Sequence, residues 1–383
     1  MKLIYTTFFF VLFYTIISAQ SIDTLTFYSN SFSEERTVYV HKSEYFIYKS
    51  ESVKLPVIYI LDGQHEWFVN PTLSDIEYLR YTHEIPDALV VVIPHIDRYK
   101  ECSIIDLTAE LPLDKFIVEE LDNQLKKYSP SDFKMLIGHS FSASFSMYSL
   151  YKNPEYYSAI IVHSPLDEMD LLVSSCQKNQ AIDKSKIYMS IGSLAKHKDF
   201  THRAKYDELK RKYPSFFNGI STIEADLSSH TGLPIIATSP FLNKIFYDFS
   251  GRFVDIAEVN LNYELINKPE LLAIEKDKID LVSKVGEYYY PPEIAEFNGI
   301  ASRYIYNGYD DYAIMVNELA IQSFPKYYGF YFALYEIAIK NDIAKAKKYL
   351  EKAEELVKTV EIKMPYFDET LEEIQAEKTK NGW

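Results

Sequence analysis

The sequence predicts an α/β protein: a mostly parallel sheet with helices on both faces, followed by an all-α segment. Two observations carry this. From residue 22 to about residue 250, short apolar segments alternate with amphipathic ones, which is the pattern of strand and crossover helix. Several of the apolar segments are continuous, as strands covered on both faces are. Beyond residue 250 the strand signal stops and helix formers take over.

Residues 1–19 read as a secretory signal. Lys2 gives a minimal positive start, Leu3 to Ile17 is apolar and aromatic, and Ser18-Ala19-Gln20 closes on small residues, so cleavage is expected after Ala19 and the mature chain is expected to be secreted or periplasmic. The run is too short for a stable membrane anchor, and no later stretch reaches the ~20 apolar residues a spanning helix needs. Strands are expected at Thr37-Val40, Val57-Leu61, Ala88-Ile93, Lys134-Ile137, Ala159-Val162, Ile187-Ile191 and Gly219-Ala225. Helices are expected at Phe116-Tyr128, Phe141-Lys152, His202-Lys212 and Phe241-Phe249. The domain plan is residues 1–19 signal, 20–250 sheet domain, 251–296 connecting helices and 297–383 helical repeats.

In the last of these, Asn307 to Ala313 with Ala320 and Pro325 is echoed by Lys340 to Ala346 with Ala353. The two pairs of alanines share one period, and small residues at such spacing let paired helices pack closely. This segment resembles the tetratricopeptide repeat, which implies a surface able to bind a protein or peptide partner.

Charge and composition exclude several functions. A net charge of −15 argues against nucleic acid or anionic lipid as a partner, because both reward basic patches. The nine histidines are scattered and neither C-x-x-C nor H-E-x-x-H occurs, so no metal site is expected. Cys102 and Cys176, the only cysteines, either pair or stand as two separate buried thiols. The 33 tyrosines are expected mainly in cores and helix packing.

The chemistry concentrates at Lys134 to Ser144, where a short apolar strand runs into Gly138-His139-Ser140-Phe141-Ser142 and a helical pattern follows. This is the layout of a nucleophile elbow, with the serine on a strained strand-to-helix turn and near-absent side chains two positions either side. Gly138 meets that demand and Ser142 meets it approximately. Only eleven glycines occur in 383 residues, so their placement is informative. Of the five between residues 20 and 250, Gly63, Gly138, Gly192 and Gly232 end strand patterns or adjoin candidate catalytic residues.

Acyl transfer by serine needs a base, oxyanion donors and usually an acid, with the chain order Ser, acid, His in this type of sheet. His230 follows the last strand pattern and is the candidate base. His65 is the competitor, and His139, whose side chain must point away from that of Ser140, reads as structural. The backbone N–H of Phe141 is one candidate oxyanion donor. The turn Leu61-Asp62-Gly63-Gln64 supplies a second, the N–H of Gln64, and Trp67 and Phe68 would then line the substrate pocket.

Several elements, in order, resemble the esterase family of α/β-hydrolases that includes esterase D and the trilactone-siderophore esterases. They are Tyr59-Ile60-Leu61-Asp62-Gly63, Asp106-Leu107-Thr108, Phe116 with Glu120-Leu121, Leu136 to Phe141, Ser164-Pro165, Ile191-Gly192-Ser193-Leu194, and His230 with Pro234. The resemblance covers about residues 22–250. It implies an α/β-hydrolase fold and hydrolysis of a small-molecule carboxylic ester by Ser140 and His230, without metal or organic cofactor. The chain departs from the family in having Ser142-Ala143 after the serine where glycines are common, and Ala195 where an acid commonly follows Gly-Ser-Leu. Asp199 is then the leading candidate for the third triad member, with Asp226 and Asp167 behind it. The rival expectation is a weak or inactive hydrolase scaffold whose repeats bind a partner.

Overall fold

Eight segments rich in β-branched and aromatic residues pair into one sheet: β1 Ser21–Ser29, β2 Glu34–Lys42, β3 Leu55–Ile60, β4 Leu89–Val92, β5 Pro130–His139, β6 Ala159–His163, β7 Ile187–Gly192 and β8 Ser221–Ala225. The computed structural model describes residues 21–383 apart from 167, 194–197 and 360–366, and omits the side chains of 198–201 and 367–368. The leader, Asp167, Ala195 and the Asp199 side chain therefore lie outside the described residues.

The strand order is β1-β2-β4-β3-β5-β6-β7-β8. Pairing is parallel from β4 through β8, and β2 is antiparallel to both of its neighbours. Side chains alternate across the sheet, so Val57 and Tyr59 enter one core with Leu136, Ile160 and Phe145, while Ile58 and Ile60 enter the other with Ile137, Phe68 and Phe241. Burying each such residue contributes about 1.5–3 kcal/mol. Tyr59, Tyr148, Tyr157 and Tyr304 are fully buried, in line with tyrosine as a packing residue. Cys102 and Cys176 are separate buried thiols.

The helix Phe141–Lys152 has the expected bounds, and Lys198–Lys212 starts one turn before the expected one. Several elements differ from the expectation. β1 and the helices Glu66–Tyr81, Arg98–Cys102, Met169–Lys178 and Pro214–Gly219 are additional, and the helix after His230 is Leu233–Ile245, opened by Pro234 in its first turn, not Phe241-Phe249.

Beyond residue 250 the helices are Leu272–Val282, Ile294–Tyr306, Asp310–Ser323, Tyr328–Ala338, Ile343–Thr359 and Phe367–Lys380. The connecting segment is less helical than expected. Residues 251–271 hold turns and a single bridge between Val259 and Leu265, and a hairpin of β9 Lys284–Val285 and β10 Tyr288–Tyr289 follows. Ala313, Ala320, Ala346 and Ala353 are all fully buried where the helices pack. Tyr290 joins the second sheet core, and Tyr48 of the sheet domain packs at 5.2 Å on Tyr327 of the helical part. The Ser50 N–H donates to the Ser323 carbonyl at 2.8 Å, so the two parts share both core and hydrogen bonds.

Candidate active site

Ser140 stands between the central strand β5 and the helix Phe141–Lys152, at φ 61° and ψ −117°. A non-glycine residue adopts positive φ at a cost, and persists there only where its surroundings over-determine it. Here the Ser140 N–H donates to the His163 carbonyl at 2.9 Å, and the Ser140 carbonyl accepts from Ala143 and Ser144 at 3.1 Å. Gly138 lets the helix close on the strand, since a Cβ there would lie 2.4 Å from the Ser142 carbonyl oxygen and 2.7 Å from Ser146 Oγ. The short Ser142 side chain is accommodated in a buried polar pocket, 3.5 Å from His95 Nε2.

The neighbouring strand β3 supplies the turn beside the elbow. Leu61 N–H bonds Ile137 O at 3.0 Å, and Gly63 N–H bonds Ile93 O at 3.0 Å. Among the described residues, the backbone N–H groups of Gln64 and Phe141 donate to no other group of the chain. That of Phe141 is unpaired because it opens a helix. Both turns lie at the carboxyl ends of adjacent parallel strands, where open α/β sheets bind ligands.

A buried ionic network fixes this edge, and the sequence motifs do not reveal it. Asp62, itself at φ 61° and 1% exposed, accepts from Arg98 Nε at 2.5 Å and Arg98 Nη2 at 3.1 Å. The same guanidinium donates to the His139 carbonyl at 2.7 Å, tying the β3 turn to the elbow. Behind it His95 Nδ1 meets Glu101 Oε2 at 2.7 Å, and Arg36 grips Glu101 in a fork at 2.9 Å on both oxygens. Burial opposes charge on His95, but its bonds to Cys102 and Glu101 outweigh that and raise it to about 10. Burial likewise opposes charge on Glu101, yet His95 and Arg36 bring it down to about 2. The available signal is weak: Arg98 follows the strand Leu89–Val92 by a few residues and has Asp97 and Glu101 as nearby acids in the chain, so its partner Asp62 is not evident.

His230 lies in the loop after β8 and is brought to the elbow. Its carbonyl accepts from His139 Nε2 at 2.8 Å, and the two rings sit 4.5 Å apart. Burial pushes the His139 imidazole down to about 4, so it is neutral and its Nε2 carries the donated proton. His139 is thus a strut, in keeping with its structural reading from sequence. Trp67, 44% exposed, meets the His139 ring edge to face at 5.1 Å. Phe68 corrects the pocket assignment: it is fully buried in the second core at 5.8 Å from the His139 ring, because it points inward from the helix that Trp67 opens outward.

His65 stacks on Trp67, with Nδ1 3.8 Å from Asp62. Asp226 is 74% exposed and bonded to Arg203 at 2.7 Å, so its carboxylate is committed elsewhere. Among the described residues, His202, which no sequence motif singles out, brings its Nδ1 to 3.2 Å from His230 Nδ1. Cavities of about 590 and 500 Å³ lie at the junction with the helical part, and a small one of about 30 Å³ adjoins His202. Among the described residues, no group of three His, Cys, Asp or Glu side chains could hold a metal ion.

Residues 29–212 match the family described as "Putative esterase". No curated protein matches the chain. An IroE-like serine hydrolase from Shewanella oneidensis superposes with a TM-score of 0.59 at 15% identity, over 78% of this chain and 98% of that one. An uncharacterised protein from Capnocytophaga ochracea superposes with a TM-score of 0.55 at 14% identity, over 93% of this chain and 100% of that one, so the helical part is shared as well. With its mostly parallel eight-stranded sheet and its helical extension, the chain has an α/β-hydrolase fold, and its residues 29–212 match the esterase family.

Proposed function

We propose that this protein is an exported serine esterase that hydrolyses a small carboxylic ester through an acyl-enzyme on Ser140. The observation that carries this reading is the Ser140 backbone at φ 61° and ψ −117°, a strained turn held at the top of the central strand. In the first step Ser140 Oγ bonds the ester carbonyl carbon while its proton passes to His230 Nε2. The Phe141 and Gln64 N–H groups hold the oxyanion, and the leaving alcohol takes the proton from His230 as the carbon–oxygen bond breaks. Water then attacks the acyl-enzyme with His230 again as base, releasing the acid and restoring Ser140.

Trp67, half-exposed beside His139, is the candidate wall for the acyl or alcohol group. A carboxylate at Asp199 would orient His230 in the usual way. Residues 1–19 support export, and the buried alanines support reading the last helices as tetratricopeptide-like. The test is hydrolysis of a series of p-nitrophenyl esters by the purified mature protein. Turnover above the buffer rate is expected, and none across the series would overturn the reading.

A further inference from the structure

Two residues at this edge of the sheet share a positive φ of 61°: Asp62 in the turn after β3 and Ser140 in the elbow after β5. A residue other than glycine stays in that region only where its surroundings over-determine it. One guanidinium serves both. Arg98 grips the Asp62 carboxylate through Nε at 2.5 Å and Nη2 at 3.1 Å, and Nη2 also donates to the His139 carbonyl at 2.7 Å. His95 Nε2 faces the same carboxylate at 3.7 Å, beyond hydrogen-bond reach.

Both anchors lie next to a proposed oxyanion donor. On the elbow side, Arg98 holds the carbonyl of the His139–Ser140 peptide while the N–H of that peptide donates to the His163 carbonyl at 2.9 Å. The peptide is pinned at both ends, and the next N–H in the chain is that of Phe141, whose ring lies 5.7 Å from the guanidinium. On the turn side, the Asp62 carbonyl accepts from the His65 N–H at 2.8 Å, closing a turn that contains Gln64. The Gln64 side chain is fixed as well, its Oε1 accepting from the His95 N–H at 2.9 Å. Each side is therefore stiff by itself. Beyond the last ladder bond between β3 and β5, from Leu61 N–H to Ile137 O at 3.0 Å, Arg98 bridges the two.

We infer that Arg98 is the positioning residue of the oxyanion hole: by joining the Asp62 carboxylate to the His139 carbonyl it sets the separation of the Gln64 and Phe141 N–H groups. This rests on the Ser140 mechanism proposed above. In this role Arg98 touches no reacting atom. Two donors stabilise the tetrahedral intermediate only if both converge on the point where its oxyanion forms. The bridge thus acts on the chemical step and leaves ground-state binding of the ester nearly untouched.

The test separates those two effects. Arg98→Met keeps the length of the side chain and removes both contacts. It should lower kcat by roughly 10²-fold, the loss expected for one misplaced donor, with KM within about twofold of wild type. Phenylboronic acid reads the hole directly. Its boron takes Ser140 Oγ as a fourth bond while the hydroxyl proton passes to His230, and an oxygen of the tetrahedral boronate stands for the oxyanion. Its inhibition constant should rise in Arg98→Met by roughly the factor that kcat falls. Arg98→Lys offers one nitrogen where Arg98 uses two, so both losses should be smaller. Thermal melts of each full-length variant check folding.

Wild-type kcat in folded Arg98→Met overturns the inference. A raised KM with unchanged kcat overturns it too, because Arg98 would then contact the substrate. So does a fall in kcat with undiminished boronate inhibition. If Arg98→Met fails to fold, Arg98→Lys decides, and wild-type kcat and boronate inhibition in that variant overturn the positioning role. Wild-type turnover in Ser140→Ala would overturn instead the mechanism on which the inference rests.

Discussion

His139 donates its Nε2–H to the backbone carbonyl of His230 across 2.8 Å, so the residue preceding the elbow serine holds the loop that carries the proposed base. The proposed nucleophile and base follow strands β5 and β8, which are not neighbours in the sheet. This bond fixes their separation without any covalent link. His139→Leu should remove this bond to the loop, cost about 1–3 kcal/mol of stability and lower kcat/KM by roughly 10-fold or more, since a small displacement of a catalytic group is costly. Denaturant unfolding and ester kinetics read both, and unchanged values for both would show that the loop is held by other means.

Gly138→Ala is expected to be more damaging than its size suggests. The added methyl meets the Ser142 carbonyl carbon at 2.6 Å and its oxygen at 2.4 Å, and backbone cannot rotate aside as a side chain can. Overpacking of this kind typically costs about 1–3 kcal/mol. Displacement of the helix start should also abolish turnover by moving Ser140 and the Phe141 N–H together. A variant with wild-type kcat would contradict the close approach.

Stability should carry a pH signature from buried imidazoles. His163 is fully buried between Ser190 Oγ at 2.8 Å and Thr238 Oγ1 at 3.2 Å, and burial pushes it down to about 3. In the unfolded chain it titrates near 6.5. As pH falls, protons therefore bind the unfolded chain first, so the contribution of neutral His163 is complete above about pH 6.5 and is lost progressively toward the folded value. His163→Gln removes that titration. The stability of wild type relative to this variant should drop by about 3 kcal/mol between pH 7 and pH 4, measured by urea unfolding. A gap independent of pH would contradict the assignment.

Most of the sheet is legible in the sequence because its strands are continuous apolar runs, and Ser140, His230 and the β3 turn follow from their places at strand ends. What escapes has weak local signals. β1 alternates half-buried and exposed residues, but Ile22 and Tyr28 stand on its exposed side and Asp23 on the other, which blurs the apolar pattern, and the helix Glu66–Tyr81 contains Pro71 and exposes Trp67, Tyr78 and Tyr81. The hairpin at residues 284–289 is too short for a periodic pattern. Phe68 is drawn into the pocket by its neighbour Trp67, because adjacent positions on a helix point in different directions and that helix is not evident from the sequence. His202 and Arg98 escape for another reason, since their partners are 28 and 36 residues away and only the folded sheet brings them together.

Truncation after residue 250 tests how the parts depend on each other. It would remove Tyr290 and the Tyr288 hydroxyl that bonds Ser158 at 2.8 Å, and uncover Tyr48 and Phe249. Loss of aromatic packing on this scale costs about 3–5 kcal/mol per large side chain, so the truncated chain should be aggregation-prone or melt well below the full chain. Because the proposed chemistry lies before residue 250, any fraction that stays folded should still turn over a small ester. An equally stable truncated protein would contradict the shared core.

The claim at the centre is that Ser140 is the nucleophile. Reaction of the full mature protein with a fluorophosphonate, followed by peptide mass mapping, addresses it without knowledge of the natural substrate. The account predicts a single phosphonyl adduct on Ser140, parallel loss of p-nitrophenyl ester turnover, and neither labelling nor turnover in a folded Ser140→Ala variant. An adduct on another residue, or undiminished turnover in that variant, would contradict it.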